Sequence, residues 1–368
     1  MRAASLARVH RRRAATQRVT GAPVRRGADV VRLLLAVQAQ DAPMAAWSLG
    51  LRLREGTTYA GVLAEQASGG WVRTHVLRPT WHLVAPEDLR WLQRLTGPKV
   101  EGSMGARHRQ LDLDAAALDR AVDALRDLLS GGRPTTRREL TTAFAARGVP
   151  SSGEQMAHQL LVAELRAVIC SGPPRGVEHT YLLVDDAVAA GPLDRLEGEE
   201  ARVELVRRFM AGHGPATDRD LARWSTLTLT EIRAALADLG DRLACVDVEG
   251  TRMWFDPTVP ARTTRSPGAV LVPTFDELTL TYADHGHPRR DPGSPRPRLV
   301  NAIGGGTVLL DGGDVGAWSR RVTRTGVEVD VAPDLPLTTA ESEAVAAAAE
   351  RLGAFLGLPA RLSIGRTS

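Results

Sequence analysis

The amino-acid sequence predicts an α+β protein of three tandem winged helix-turn-helix motifs, followed by a C-terminal extension of strands and one helix. Two observations support this fold class. Stretches with helical spacing of apolar residues alternate along the chain with short β-prone runs. In addition, three segments share one order of elements, with two helices and a turn preceding two short strands. The predicted domain boundaries are 1–110, 111–190 and 191–368.

The first motif is the least regular of the three. Apolar periodicity and turn residues predict three helices and two strands, over 30–37, 44–53, 59–66, 71–77 and 80–84. A polar stretch over 38–43 follows the first of these helices. Asp41 stands just before the second helix, where a carboxylate accepts hydrogen bonds from free backbone N–H groups, so we expect it to be an N-cap or structural residue.

The second motif carries the clearest helix signals. Thr136 and Glu139 have capping-box spacing, in which each side chain accepts a hydrogen bond from the other residue's backbone. Ser151 and Glu154 repeat this spacing before the next helix. The two strands of the wing and the turn between them are predicted over 167–171, 178–184 and 172–176. This segment therefore predicts a complete winged helix.

The third motif leads into the extension. Thr217 is predicted to cap its first helix and Thr230 its second. Its wing and the strands that follow are expected over 243–248, 251–255, 270–273, 278–282, 308–310 and 327–331. Because Asp276 and Glu277 are adjacent in an extended segment, they should face opposite ways and make a poor catalytic pair. Thr338 should cap a final helix that ends near Leu356.

Composition sets limits on the class of protein. With 368 residues, 43% hydrophobic and 24% charged, the chain can form two or three modules with packed cores. No run of about 18 apolar residues indicates a membrane span. Cys170 and Cys245 are far apart and have no zinc-site spacing, so we expect reduced thiols. These features predict a monomeric cytoplasmic protein without a metal or other cofactor.

Three tandem winged helices on a chain of net charge +4 make double-stranded DNA the expected partner, held in a C-shaped cradle. Arginine far outnumbers lysine, and its planar fork suits phosphates and base edges. The basic N-terminal run supplies candidate DNA contacts at Arg11, Arg12 and Arg13. Winged helices also dock proteins, so a protein-binding scaffold stays open as an alternative, as does a transcriptional regulator without catalytic activity.

Five stretches resemble the winged-helix DNA glycosylase family that contains AlkZ and YcaQ. They follow one another in the family's order, over 37–43, 77–84, 214–224, 271–276 and 310–318. The first contains the family's Gln-apolar-Gln motif as Gln38, Ala39 and Gln40. The second resembles the family's Arg-Gly-Thr-x-His-Leu-Val strand pair, with Pro79 in place of the usual glycine. The matching stretches span nearly the whole chain.

This resemblance implies a monofunctional DNA glycosylase with Gln38 and Gln40 as catalytic residues. Residues two apart in an extended segment point the same way, so both amides would face DNA while Ala39 points inward. An amide does not titrate near neutral pH, but its carbonyl can accept a hydrogen bond from water. Positioning a water in this way is sufficient for a cationic N-alkylated purine, because such a base leaves without a general acid. The resemblance implies that Gln40 accepts the hydrogen bond from the attacking water, with Gln38 helping to position the water or the nucleotide.

Other candidate DNA contacts come from the same stretches. Alternation along the strand puts Thr80 and His82 on one face, either at the DNA or with His82 hydrogen-bonded beside the core. In the family a C-terminal hairpin lies against DNA, so the loop arginines are candidate contacts unless the loop is simply solvated: Arg289, Arg290, Arg296 and Arg298. The implied substrates are N7-alkylguanines, including bulky adducts and interstrand crosslinks such as those of azinomycin. The resemblance also implies that the genotoxin which causes this damage is made by the producing cell itself.

Overall fold

The computed structural model is a mixed α+β structure, which confirms the α+β part of the predicted fold class. It describes the residues 5–176, 178–262, 268–282, 286–287, 289–291, 293 and 304–365. Helices come in groups along this part of the chain, and each group is followed by strands. Among the residues described, no helix combines the length and the apolar character that a membrane span requires.

The N-terminal half consists mainly of helices with short strand pairs between them. In chain order its elements are α1 (Leu6–Thr16), α2 (Gly27–Leu34), β1 (Ala36–Gln38), α3 (Ala42–Gly50), α4 (Tyr59–Ala67), β2 (Val72–Val76), β3 (Arg78–Val84), α5 (Leu89–Ser103), α6 (Gly105–Gln110), α7 (Ala115–Leu129), β4 (Thr135–Thr136), α8 (Arg137–Ala146), α9 (Gly153–Leu165), β5 (Ile169–Arg175), β6 (Glu178–Leu183) and α10 (Val184–Ala187).

The C-terminal half begins with helices and continues with most of the remaining strands. Its elements are α11 (Gly198–His213), α12 (Asp218–Ser225), α13 (Leu229–Leu239), β7 (Ala244–Val248), β8 (Thr251–Phe255), β9 (Ala269–Pro273), α14 (Glu277–Leu280), β10 (Gly305–Leu310), β11 (Gly313–Val322), β12 (Val327–Pro333), α15 (Thr339–Leu356) and β13 (Ala360–Ile364).

The described strands form four sheets. Two are three-stranded, with the orders β1–β3–β2 and β4–β6–β5, and a third is the hairpin β7–β8. The fourth has five strands in the order β13–β12–β11–β10–β9, of which β12 and β13 are parallel. β1 is an edge strand that pairs with β3 on one side, so the residues that follow it lie at the border of this sheet.

Local capping signals place several helix starts where the sequence predicts them. Thr136 and Glu139 form the predicted capping box at the start of α8. Thr217 caps α12 with its side chain. Thr338 forms another capping box at α15, which ends at Leu356 as expected. These interactions involve residues three apart, which explains why the sequence alone reveals them.

The prediction of a strand over 278–282 is wrong. This stretch contains helix α14 instead. The Asp276 side chain accepts a hydrogen bond from the backbone N–H of Leu278 at 2.8 Å, which starts a helical turn. The alternation of leucine and threonine suggested a strand, but the cap decides the backbone conformation.

Two helix boundaries also differ from the prediction. The helix expected over 30–37 ends at Leu34, because Leu35 adopts a positive φ of 64° that a helix cannot contain. The residues after it form β1. In the third motif Thr228, not Thr230, caps α13. The first of these differences matters for function, since it puts Gln38 at the end of a strand and Gln40 just beyond it.

One hydrophobic core joins the N-terminal helices to the C-terminal sheet. The Trp47 indole of α3 donates a hydrogen bond to the carbonyl of Leu271 in β9 at 2.9 Å. Its ring packs against Phe355 of α15, with the ring centroids 5.2 Å apart. Val31 of α2 and Val329 of β12 belong to the same core. The segment between α2 and α3 is therefore supported by residues from both ends of the chain.

Candidate active site

The polar stretch after α2 lies at the edge of the first sheet. The register of β1 and β3 sets Gln38 opposite His82. One residue further on, the N–H of Ala39 donates to the carbonyl of Trp81 at 2.6 Å, so the extended pairing continues beyond β1. Ala39 is fully buried. The glutamine motif is thus extended, with its alanine turned inward, as the sequence predicts.

Gln38 is held on two sides. Its Oε1 accepts a hydrogen bond from the Arg78 guanidinium at 2.7 Å. Its backbone N–H donates to Oε1 of Glu277 at 2.9 Å. Only 6% of Gln38 is exposed. The pairing with β3 and these two contacts therefore draw Gln38 into the fold and leave only a small part of it exposed, and its contact with DNA remains a prediction.

Gln40 is exposed and much less constrained. Its Oε1 lies 3.4 Å from the backbone N–H of Trp81, a long hydrogen bond. The next residue has the predicted structural role, since the Asp41 side chain accepts from the N–H of Met44 and caps α3. Asp41 also accepts from the N–H of Gly304 at 3.0 Å. Gln40 is therefore an exposed, weakly held amide between two neighbours that are fixed by hydrogen bonds.

Glu277 lies behind the motif and is fully buried. Besides Gln38, its carboxylate accepts from the Trp224 indole at 2.8 Å and the Thr281 hydroxyl at 3.0 Å. Burial acts to raise its pKa, but hydrogen bonding to His213 and the charges of His213 and Arg78 lower the pKa of Glu277 to about 2. Glu277 is thus ionised at neutral pH, buried directly behind the Gln38 backbone.

His82 is fully buried, which corrects the prediction that it contacts DNA. Its Nδ1 lies 2.9 Å from the carbonyl of Thr80, so this nitrogen carries the proton and donates. Burial, together with the positive charge of Arg78, lowers the pKa of His82 to about 3. The ring is therefore neutral, which is the structural role that the sequence left open. Thr80 itself is half-buried, and its contact with DNA remains a prediction.

Arg73 and Trp81 complete the surroundings of the motif. The Arg73 guanidinium donates to the carbonyl of Ala39 from two nitrogens, at 3.0 and 3.1 Å. It also lies over the Trp81 ring, 4.1 Å from its centroid. The positions of Arg73, Arg78 and Glu277 in the site were missed from the sequence. Arg78 stands inside one of the five matching stretches, which was the one usable signal.

The basic N-terminal run does not form a free arm. Arg13 is fully buried, and its Nε donates to the carbonyl of Pro215 at 2.8 Å. Its guanidinium also lies 3.6 Å from Asp220. The prediction that Arg13 binds DNA is therefore wrong, because its charge is used inside the fold. Arg12 stacks on the Phe255 ring at 3.8 Å.

The remaining basic candidates differ in accessibility. Arg11 is exposed on α1 and remains a candidate DNA contact. Arg289 lies 3.4 Å from Asp334, and Arg290 forms an ion pair with Glu341, so both charges are partly neutralised. The other two loop arginines lie outside the described residues: Arg296 and Arg298. Groups of three or more side chains able to hold a metal ion are absent from the part of the chain that the structure describes.

Comparison with known proteins defines the class of protein as a DNA glycosylase. The model of the family described as "DNA glycosylase AlkZ-like" matches residues 31–355. The chain belongs to this AlkZ-like family. Family membership identifies the chain as an enzyme, a DNA glycosylase, and favours this class over a regulator without catalytic activity and a protein-binding scaffold.

A sequence comparison and a structure comparison support this assignment. An interstrand DNA cross-link repair glycosylase from Streptomyces sahachiroi is 28% identical over 361 residues, which cover 91% of this chain and 92% of the relative. The solved structure of Streptomyces sahachiroi DNA glycosylase AlkZ superposes with a TM-score of 0.78 at 25% identity. That superposition covers 98% of this chain and all of the other. The likeness therefore extends through the whole fold.

Proposed function

We propose that this glycosylase hydrolyses the N-glycosidic bond of cationic N-alkylated purines in duplex DNA, with N7-alkylguanine as the main substrate. Bulky adducts and interstrand crosslinks of the azinomycin type belong to the same class. The observation that carries the proposal is the exposed amide of Gln40 beside the buried amide of Gln38. Neither group titrates, so the site suits a leaving group that already bears a positive charge.

The electrostatics around the glutamines favour the same substrate. The neighbouring His82 has a pKa of about 3 and supplies no proton at neutral pH. Glu277 has a pKa of about 2 and is equally unable to act as a general acid there. A neutral purine needs protonation to leave, whereas an N7-alkylguanine does not. The reaction is therefore limited by bringing water to C1′ of a sugar with oxocarbenium character.

An exposed catalytic amide also accommodates a bulky base. Because Gln40 lies at the surface, a guanine with a large substituent can approach it without being turned into a deep pocket. The Streptomyces sahachiroi relative is named for interstrand cross-link repair, which needs this kind of access. We infer a role in base excision repair, including self-resistance to a genotoxin that the producing cell makes, and we place the enzyme in the cytoplasm at the nucleoid.

We further infer that the three groups of helices and hairpins are tandem winged helices that curve around the duplex as a C-shaped monomer. The domain limits stay at 1–110, 111–190 and 191–368. Arg11, Arg12 and Thr80 are the proposed contacts among the described residues, joined by Gln40 at the lesion. Arg289 and Arg290 would reach phosphates only by exchanging their present carboxylate partners.

The test uses a duplex with a single N7-methylguanine and purified protein in excess. We expect wild type to release the base and Gln40→Ala to release it at least about 100-fold more slowly, the loss seen when a preorganised catalytic dipole is removed. Gln110→Ala is the matched control, because Gln110 is exposed on α6, outside the site. Equal rates in Gln40→Ala and wild type, or release of uracil at a rate similar to that of N7-methylguanine, would contradict the proposal.

A further inference from the structure

Arg78 reaches across the first sheet to the side chain of Gln38. The Arg78 guanidinium lies 3.4 Å from Nε2 of His82, so the two side chains share one side of β3 although the register with β2 is irregular between residues 78 and 81. Since His82 is opposite Gln38, this register brings the Arg78 guanidinium next to the glutamine. The 2.7 Å hydrogen bond to Oε1 of Gln38 is much shorter than the 3.4 Å contact made by Oε1 of Gln40.

The chemistry of this contact determines how the Gln38 amide is turned. A guanidinium has only donors, so the atom of Gln38 that faces Arg78 must be the carbonyl oxygen. The NH₂ group then points away from Arg78. Gln38 retains two N–H donors, while its oxygen already accepts a charged hydrogen bond. Gln40 is in the opposite condition, because its carbonyl has one long contact and an exposed position.

His82 and Glu277 keep the guanidinium in place. His82 donates through Nδ1 to Thr80, which leaves its Nε2 as an acceptor 3.4 Å from the same Arg78 nitrogen that binds Gln38. The negative charge of Glu277 partly offsets the desolvation that lowers the pKa of Arg78. The orientation of the amide is therefore fixed by buried groups and not by solvent.

We propose that Arg78 is a positioning residue that divides the work between the two glutamines, with Gln38 as a hydrogen-bond donor to an oxygen of the damaged nucleotide and Gln40 as the acceptor for the attacking water. The acceptor for Gln38 is a deoxyribose or phosphate oxygen. This inference rests on the proposed function and adds to it the separate role of each amide, together with a residue that acts through one of them.

The reaction balances with water as its only reactant. The water oxygen bonds to C1′, and the bond from C1′ to the purine nitrogen breaks. Its electron pair moves into the ring and cancels the positive charge of the alkylated base. The proton of the attacking water, oriented by the Gln40 carbonyl, passes to bulk water. In this scheme Gln38 takes no proton and only holds the nucleotide.

Two carboxylate substitutions distinguish donor from acceptor. Gln38→Glu keeps oxygens for Arg78 but removes the NH₂ donors, whereas Gln40→Glu keeps and strengthens an acceptor. In single-turnover release of N7-methylguanine, we expect Gln38→Glu to lose at least about 100-fold and Gln40→Glu less than about tenfold, since only the first removes the dipole that its site uses. Gln110→Glu is the matched control, because Gln110 also accepts from an arginine, Arg107, at 2.7 Å but lies outside the site.

The outcomes separate the two proposals. If wild type releases no base, the proposed function is wrong. If wild type is active and Gln38→Glu keeps its rate, or if both glutamate variants lose equally, the division of roles is overturned while the glycosylase activity stands. Thermal unfolding and affinity for undamaged duplex are measured for each variant, so that loss of fold is not counted as loss of rate.

A double-mutant cycle tests the role of Arg78 itself. We expect Arg78→Met to slow release about tenfold in the wild-type background and less than about twofold when Gln38 is already alanine, because coupled residues are non-additive. Arg78→Lys, which restores one charged donor, should recover part of the rate. An equal cost in both backgrounds would mean that Arg78 binds DNA directly or supports the fold, and it would overturn the positioning role.

Discussion

Asp276 and Glu277 are neighbours in sequence and both are fully buried, yet the two carboxylates have different partners. Asp276 faces the Arg52 guanidinium, with two hydrogen bonds of 2.7 and 2.8 Å. Arg52 is itself fully buried and also donates to Gln17. This pair is a closed ionic contact between the turn after α3 and the start of α14, where the two charges cancel each other.

Glu277 has no such partner directly against it. Its closest contacts are neutral donors: the Gln38 backbone, the Trp224 indole and the Thr281 hydroxyl. The nearest ionisable nitrogen, on His213, is 3.6 Å away. These donors hold the charge of Glu277 together with the positive charges of His213 and Arg78, and a buried carboxylate with so perturbed a pKa marks a place where the fold supports chemistry. The comparison therefore separates a carboxylate that stabilises the fold from one that supports the site.

The largest effect that would test this comparison is on stability. Asp276→Ala leaves the Arg52 guanidinium buried without its counter-charge, and we expect the free energy of unfolding to fall by about 3–5 kcal/mol. Urea unfolding at pH 7 measures it. The control is Asp123→Ala, which breaks an exposed ion pair with Arg126 and should cost less than about 1 kcal/mol. Similar losses in the two variants would show that the Arg52 pair is not the closed contact described.

The next effect is the loss of folding stability at acidic pH that is caused by Glu277. Its folded-state pKa of about 2 is below the ordinary value of 4.5, so the unfolded chain takes up this proton first as the pH falls. The stabilisation is complete above pH 4.5 and is lost towards pH 2. Relative to Glu277→Gln, wild type should therefore lose about 2 kcal/mol between pH 4.5 and pH 3. Denaturant unfolding at several pH values checks this, and parallel curves for the two proteins would contradict it.

The smallest effect is on the rate of base release. Glu277→Gln replaces a charged acceptor for the Gln38 N–H by a neutral one, so release should slow about tenfold in folded protein. Asp276→Asn should slow it less than about twofold, although it weakens the fold, because Asp276 does not touch the glutamine motif. Single-turnover release at a temperature where both variants are folded gives the answer. Equal slowing would mean that the two carboxylates serve the fold alone.

Local features of this molecule were predictable from the sequence. The capping boxes at Thr136 and Thr338 depend on residues three apart, and the α+β class follows from periodicity within short windows. The extended glutamine motif, with Ala39 turned inward, follows from alternation along a strand. In each case the interaction that decides the structure lies close in the sequence to the residues that show it.

Contacts between distant residues could not be read in the same way. Asp276 and Glu277 looked like a weak pair on a strand, but the Asp276 cap turns the chain into α14 and sends each carboxylate to its own partner. Charge patterns were equally ambiguous. Arg11 and Arg13 look alike in the sequence, yet one is exposed and the other is buried beside Pro215. Such differences arise from tertiary packing, which a single sequence does not display.

The anchor of Gln38 lies 239 residues further along the chain. During synthesis the ribosome therefore releases the two glutamines long before Glu277 emerges, and the core that supports α3 waits longer still for Phe355. A nascent chain that has not yet reached Glu277 contains Gln38 and Gln40 without the carboxylate that holds the Gln38 backbone. The site is thus completed late in translation, so a message truncated before the codon of Glu277 yields a chain with both glutamines but without the carboxylate that anchors Gln38.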